Sequence, residues 1–402
     1  MNVSLSKFVN SINPVKTQYI SKPTFKGPSD SFEKGMTVKG SETQAKIYTA
    51  NVDYQTIGQI KDFCNHPVFK DAPIRIMPDT HAGKNSVVGF SAPIVNGKVI
   101  PNIIGGDIGC GMLCVKFDPQ GEKIDFEKLD DVIKTYVSTS RSKTPASLKK
   151  VPIAFSTTVE NLCRHKYKKP VEKVMDSLGT LGGGNHFSEI DKSSDGEYHL
   201  VIHTGSRHFG KEVADYHQKI AGEQNPYKMK DLSYLSGDEA KEYLEDMKVA
   251  ADYSRYNRRV IADEIIKRMG WKEKEAFESI HNYISDDGII RKGAICADLG
   301  KKVIIPLNMR DGAIIGTGKG NPEWNNTAPH GAGRQYKRSQ AAQFISFEEY
   351  KKSMEGIYSS GITESHIDES PQAYKDSCEI IENISDTVDV EDIISPVFNY
   401  KD

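Results

Sequence analysis

The stretch Val87-Val88-Gly89-Phe90-Ser91-Ala92-Pro93-Ile94-Val95-Asn96-Gly97-Lys98-Val99-Ile100-Pro101-Asn102-Ile103-Ile104 decides the fold class. Two β-rich runs, 87–94 and 99–104, flank Asn96-Gly97, a pair that takes the positive φ angles of a tight hairpin turn at little cost. The spacing predicts two antiparallel strands. Working outward, strand-like runs at 46–48, 74–77 and 113–117 alternate with glycine turns. Residues 180–190 read as a glycine turn entering a strand, and further strands are predicted at 199–203, 288–297, 303–305 and 313–315. Helical patterns fall at 126–137, 236–268, 347–358 and 374–384. The second is the clearest. Ser236 and Glu239 read as a capping box, Leu244, Met247, Ala251, Ile261 and Ile265 repeat at helical spacing, and Gly270 is a stop signal.

Strands and helices are interspersed without a regular β-α-β alternation, so the expected architecture is α+β. It is a single large domain over 41–402, with mixed and antiparallel sheets flanked by helices and a helical segment near 236–270. Residues 1–40 are read as an N-terminal extension; the first 36, rich in Ser, Lys, Asn and Pro, contain no arginine.

The chain has 402 residues, 27% charged and 37% hydrophobic, with a net charge of −2, which describes a soluble globular protein with a large core. No stretch approaches the roughly 20 apolar residues of a membrane span, and the N-terminus has no apolar secretory core. Six cysteines (Cys64, Cys110, Cys114, Cys163, Cys296, Cys378) are scattered without a C-x-x-C pair. That argues against a disulfide framework and for a reducing cytoplasm, where a lone cysteine serves as a thiolate ligand. The charge is uneven: residues 141–173 hold nine Lys/Arg and two Glu, and the last forty residues hold eleven Asp/Glu. The basic stretch reads either as a solvated face or as a nucleic-acid footprint.

Five segments place metal-ligand residue types in glycine-rich or strand-end turns: 105–112 with Asp107 and Cys110, 182–187 with His186, 202–207 with His203, 281–283 with His281, and 329–334 with His330. Glycines on both sides of Asp107 and Cys110 let a carboxylate and a thiolate face one point. A mixed N/O/S set suits Zn²⁺, Mn²⁺ or Fe²⁺ better than Mg²⁺ or Ca²⁺, and a bridging thiolate makes two metals plausible. Any one of these histidines alone also reads as an ordinary turn residue; their joint placement is what points to a site. His81, in Met77-Pro78-Asp79-Thr80-His81, is a candidate outer partner.

Phosphate chemistry is the second theme. In Pro329-His330-Gly331-Ala332-Gly333-Arg334, minimal side chains let backbone N–H groups approach an anion, and Arg334 can fork onto a phosphate. Taken alone, the loop also reads as a tight turn. Arg207 and Arg338 follow similar signals, and Gly316-Thr317-Gly318-Lys319-Gly320-Asn321 is another anion-friendly loop. No G-x-x-x-x-G-K-[ST] motif occurs, so any nucleotide is bound without a P-loop.

Together the segments MPDTHAGK (77–84), IGGDIGCGM (104–112), LGGGNHFSEI (181–190), HTGSRHFG (203–210), HNYI (281–284), RKGA (291–294), GKGN (318–321), HGAGR (330–334) and AYKD (373–376) resemble, in order, the RtcB family of RNA-splicing ligases. The resemblance runs from about Met77 to the C-terminus. It implies a family-specific α+β fold and a GTP- and Mn²⁺-dependent joining of RNA 3′-phosphate or 2′,3′-cyclic phosphate ends to 5′-hydroxyl ends, in RNA repair or tRNA splicing. His330 matches the nucleophile that takes GMP. Asp107, Cys110, His186, His203 and His281 match the ligands of two Mn²⁺. The implied guanylate contacts are Asn185, Phe187 and Glu189, His281 and Asn282, the segment Pro306, Leu307, Asn308 and Met309, Ala313, the loop His330, Gly331, Ala332 and Gly333, and Lys401. Arg207, Arg334 and Arg338 match RNA-phosphate binders. Departures gather on the nucleotide side: Leu307-Asn308 stands where the family has Gly-Ser, Ala313 replaces a serine, Pro329 precedes the nucleophile and Asp402 ends the chain.

The expectation is therefore a cytoplasmic RNA ligase acting through guanylylated His330. Its partners are RNA ends and GTP, with an activating protein partner left open and no membrane. The alternatives are a metal-dependent RNA-end phosphoesterase without guanylylation and an RNA-end-binding protein.

Overall fold

Antiparallel pairing dominates two sheets, and the site lies where their strand ends meet. The computed structural model describes residues 34–137, 150–227 and 229–401. The strands are β1 (Thr37–Lys39), β2 (Gln44–Ile47), β3 (Ile74–His81), β4 (Val88–Pro93), β5 (Gly111–Asp118), β6 (Phe187–Lys192), β7 (Tyr198–Thr204), β8 (Lys272–Ile280), β9 (Tyr283–Ile284), β10 (Ile289–Lys292), β11 (Ala294–Cys296), β12 (Lys302–Asn308), β13 (Gly312–Gly318), β14 (Thr327–Pro329) and β15 (Val388–Tyr400). One sheet has the order β1-β2-β3-β4-β10-β9, the other β12-β13-β15-β6-β7-β5-β8, and β11 pairs with β14. Only β2 and β3 pair in parallel among the described strands, so the sheets are mixed and antiparallel and the fold is α+β.

The seven-stranded sheet curls until its edges meet, where the Ile304 N–H donates to Ser279 Oγ at 3.0 Å. Strand alternation then sorts β5 into two faces. Met112 and Cys114 pack with Val201, Ile304, Ala313, Ile315 and Ile394 on one side. Leu113 and Val115 pack with Leu200, Ile202, Ile261 and Ile265 on the other, under the helix Gly237–Met269.

That helix also carries polar residues inward. Asn257 Oδ1 accepts the Gly179 N–H at 2.6 Å while its Nδ2 donates to the Thr180 and Gly205 carbonyls. Fully buried Arg258 donates through Nη1 to the carbonyls of Gly109 and Thr204, both at 2.9 Å, and pairs with Glu278. Ser254 donates to the Ile108 carbonyl at 2.7 Å. One helix face thus satisfies the backbone groups of three glycine-rich turns that would otherwise be buried without partners.

The structure corrects several sequence expectations. Asn96 and Gly97 do take positive φ, 52° and 64°, and Val95 bridges Lys98. Residues 99–104, however, are not a strand. Pro101 cannot donate to a ladder and its φ suits a first helical position, so Pro101–Ile104 is one helical turn and Val99 bridges Leu235 instead. The run 288–297 breaks at Gly293 (φ +58) into β10 and β11, which belong to different sheets. The capping box at Ser236 does not form: its hydroxyl makes no bond to the helix backbone and turns to Asn225 Nδ2, 3.5 Å away. Gly270 does end the helix, at φ 74, with its N–H on the Ile266 and Lys267 carbonyls. The last two helices are shorter than predicted, Phe347–Ser353 and Ser377–Asn383.

The unpredicted elements include the helices Tyr54–Cys64 and Arg207–Gln224 and the strands β8 and β15. Residues 37–39 of the assigned extension pair with β2 as an edge strand. Residues 1–33, and 141–149 of the basic stretch, lie outside the described residues. All six cysteines are free, and among the described residues no helix is long and apolar enough to cross a membrane.

Candidate active site

Antiparallel register builds the ligand cluster. The start of β5 lies beside the ends of β7 and β8, with Gly111 opposite both Thr204 and Ile280, and the start of β6 lies beside the end of β7, with Phe187 opposite His203. Cys110 precedes β5, His186 precedes β6, His203 is the penultimate residue of β7 and His281 follows β8. Four side chains far apart in sequence are thereby delivered to one end of neighbouring strands. The His281 N–H donating to the Cys110 carbonyl at 2.7 Å closes the arrangement.

Two ligand groups result, Cys110–His203–His281 and Asp107–Cys110–His186, sharing the Cys110 sulfur. Cys110 Sγ is 3.3 Å from His203 Nε2 and 3.5 Å from His186 Nε2, and His186 Nε2 is 3.2 Å from Asp107 Oδ2. The far nitrogens are tied to backbone: His186 Nδ1 to the Leu181 carbonyl and His203 Nδ1 to the Asn185 carbonyl, each at 3.0 Å. With Nδ1 donating to backbone, each Nε2 would present a lone pair to a cation bound beside the thiol, the orientation imposed on metal-binding histidines. Burial pushes His203 and His281 well below the usual imidazole range, which keeps them unprotonated. Burial alone would raise Asp107, but the hydrogen bond and charge of His186 hold its carboxyl below the usual range. Burial and the Asp107 charge push the Cys110 thiol well up. His281 Nδ1 is buried without a hydrogen-bond partner. A converging thiol, carboxylate and imidazole set with an orphaned ring nitrogen fits a divalent cation, which would deprotonate the thiol and satisfy the free lone pairs.

His330 follows β14 and lies ring against ring with His281, centroids 4.6 Å apart. Its Nδ1 is 2.6 Å from Oδ2 of fully buried Asp79, which also accepts the His330 backbone N–H at 3.2 Å. Asp79 reaches the loop because pairing of β3 with β4 is irregular between Ile76 and His81. Gly333, at φ +73, is required beside it, since a Cβ there would lie 2.1 Å from the Asp79 carbonyl oxygen. Buried Lys375 donates to the Pro78 carbonyl at 3.0 Å and the Asn51 carbonyl at 2.8 Å, and its own N–H donates to Gly333. In that segment the sequence pointed to His81; the residue touching His330 is Asp79.

A cleft of about 660 Å³ opens over these groups. It is lined by Asp107, Cys110, Asn185, Phe187, Glu189, His203, His281, Asn282, Pro306, Leu307, Asn308, Met309, His330, Gly331, Ala332, Gly333, Arg334, Arg338 and Lys401. Three candidate residues do not line it. His186 is buried behind Cys110, and Ala313 lies in the apolar cluster inside the curled sheet. Arg207 packs its guanidinium on Gly182, with Nε donating to Thr180 Oγ1 at 3.1 Å. Asn308 is engaged locally: its Oδ1 accepts the Arg310 and Asp311 N–H groups and its Nδ2 donates to Asp311. Glu189 accepts from Asn399 Nδ2 at 2.9 Å, and burial pushes its carboxyl up to about 7. Lining residues beyond the sequence-derived set include Lys292, Glu369 and Tyr374. Lys292 and Tyr374 sat inside quoted motifs, whereas Glu369 carried no local signal.

Comparison with known proteins shows the family to which the chain is similar. The family model described as tRNA-splicing ligase RtcB matches residues 59–402. The chain is similar to the RNA-splicing ligase RtcB of Escherichia coli K12, 28% identical, covering 91% of this chain and 95% of that protein. It is similar to the tRNA-splicing ligase RtcB of Aeropyrum pernix, 28% identical over 75% of this chain and 82% of that one. The corresponding protein of Methanococcus maripaludis is 25% identical over 91% of this chain and 94% of its own.

Proposed function

Because the chain belongs to the RtcB family, we propose that it is an RNA ligase that joins a 3′-phosphate or 2′,3′-cyclic phosphate end to a 5′-hydroxyl end, with His330 as the covalent centre. The observation that carries the reading is the Asp79–His330 contact beside the two ligand groups that share Cys110. A carboxylate that accepts from Nδ1 fixes the imidazole tautomer and leaves Nε2 as the nucleophile, the same logic by which an aspartate orients a catalytic histidine elsewhere.

In the proposed sequence, His330 Nε2 attacks the α-phosphorus of GTP, a P–N bond forms and pyrophosphate leaves. An oxygen of the RNA 3′-phosphate then attacks that phosphorus, the P–N bond breaks and the imidazole is regenerated. The 5′-hydroxyl next attacks the activated 3′-phosphate, and GMP departs with the bond electrons. A 2′,3′-cyclic end requires prior opening by water. Asp107, Cys110, His186, His203 and His281 would hold Mn²⁺, which would supply positive charge against the crowded phosphates. Asn185, Phe187 and Glu189, with Lys401, would hold the guanylate, and Arg334 and Arg338 the RNA phosphate. The same proposal places the reaction in the cytoplasm.

The test is incubation of the protein with α-labelled GTP and Mn²⁺. The expected result is an acid-labile, alkali-stable label on wild type that is absent from His330→Ala. Unlabelled wild type that hydrolyses 2′,3′-cyclic phosphate without GTP would replace ligation with the phosphoesterase reading.

A further inference from the structure

One carboxylate connects the candidate nucleotide lysine to the candidate RNA arginines. Glu369 ends the helical turn Glu364–Glu369 and is 4% exposed. Its Oε1 takes Arg334 Nη2 and, at 2.7 Å, Arg338 Nη1. Its Oε2 takes Lys401 Nζ at 3.1 Å and the Tyr374 hydroxyl at 2.5 Å. Asp368 is a second anion at the rim, 3.2 Å from Arg338 Nη1, and its carbonyl accepts from Arg334 Nη1. The Arg334 guanidinium lies over the Tyr374 ring, 5.1 Å from its centroid.

We infer that Glu369 is a positioning residue that couples the two halves of the site, holding Lys401 charged and aimed at the nucleotide through one oxygen while it holds Arg334 and Arg338 for the RNA phosphate through the other. The inference rests on the reading of the cleft as a guanylate and RNA-phosphate site.

The physical argument has two parts. A carboxylate offers about four lone-pair directions, and Glu369 uses four for donors from three separate segments. Removing the shared carboxylate leaves all four donors without their acceptor at once, whereas removing one donor leaves the other three paired. Burial also lowers the Lys401 ammonium, and a buried ammonium keeps its proton only beside a counter-charge. Loss of the Glu369 charge therefore reaches the nucleotide side through Lys401 and the RNA side through the arginines. A plain structural ion cluster makes no such link between two ligands.

The experiment measures binding of GTP with Mn²⁺, and separately of a 3′-phosphate oligoribonucleotide, to wild type, Glu369→Gln, Glu369→Asp, Lys401→Met and Arg338→Met at one pH, with thermal unfolding alongside. Lys401→Met is expected to weaken GTP and spare RNA, and Arg338→Met the reverse. Glu369→Gln is expected to weaken both ligands by about tenfold or more, as loss of a charge-assisted bond does. Glu369→Asp, which keeps the charge but is one methylene too short to reach both sides, is expected to weaken both by less; it carries the test if the Gln variant does not fold. Either Glu369 variant weakening one ligand alone, or lowering only the melting temperature, overturns the inference. Wild type that binds neither ligand overturns the reading of the cleft and the inference with it.

Discussion

Asp79 Oδ2 meets His330 twice, at ring Nδ1 (2.6 Å) and at the backbone N–H (3.2 Å), although the two residues are 251 positions apart in the chain. The carboxylate therefore sets the ring tautomer and the loop backbone at once, while Asp79 Oδ1 is buried without a partner. Asp79→Asn keeps the shape but not the acceptor-only character. It is expected to slow labelling of His330 by GTP by about 10²–10⁴ with little change in the KM for GTP. Single-turnover labelling checks this, and a wild-type rate would remove Asp79 from the machinery.

The sharing of Cys110 between two ligand groups makes a stoichiometric prediction. His186→Ala removes a ligand from one group only and is expected to lower bound Mn²⁺ from two to one per chain. Cys110→Ala strikes both and is expected to weaken all Mn²⁺ binding by at least about tenfold. Equilibrium dialysis with metal analysis measures both. Equal loss in the two variants would argue for a single shared ion.

Glu189 supplies a pH dependence. Burial is the largest cause of its rise from 4.5 to about 7, against the hydrogen bonds of Asn399 and Asp191 and the charge of Lys401. As pH falls through about 7 the carboxyl, whose titration is shared with buried Asp191, takes up a proton and ceases to be a pure acceptor for a guanine edge. The KM for GTP is expected to rise as pH falls from 8 to 6, a trend absent in Glu189→Gln. For stability the sign is fixed by linkage: a group whose folded pKa is raised contributes fully below its unfolded pKa and loses that contribution as pH rises through the folded value. Glu189→Gln is thus expected to melt a few degrees above wild type at pH 8 and level with it at pH 4. A melting difference that does not change with pH would contradict the linkage.

Gly333→Ala combines a positive φ with a Cβ 2.1 Å from the Asp79 carbonyl oxygen. The expected cost is about 1–3 kcal/mol of stability with loss of His330 labelling, because the strain falls on the segment that carries Asp79. Gly270→Ala is a useful contrast: it shares the positive φ, +74°, but the added Cβ meets nothing within 4 Å. It is expected to leave the His330 labelling rate nearer to wild type. Denaturant unfolding and the labelling assay, run on both variants, separate the two effects.

Much of this was legible in one dimension. The Asn96-Gly97 turn, the Gly270 helix stop, and the strand runs at 113–117 and 199–203 depend on residues within a few positions of one another, and they formed as the residues dictated. Local rules failed where a residue outside the window intervened or where one residue inside the run outweighed its pattern. Asn225 took the Ser236 hydroxyl, Pro101 turned a β-rich run into a helical turn, and charged β8 became an edge strand because its exposed face costs nothing there.

By itself, the sequence determined which residue types were available to the chemistry, namely a thiol, carboxylates and imidazoles in turns that glycine keeps open, and with them the family. Only the tertiary structure decided that Asp79, and not His81, meets His330, that Cys110 stands in two ligand groups, and that Glu369 binds three cations at once. The reason is physical: backbone conformation is set by sterics between adjacent residues, whereas these contacts exist only once antiparallel register and burial have brought distant strand ends together.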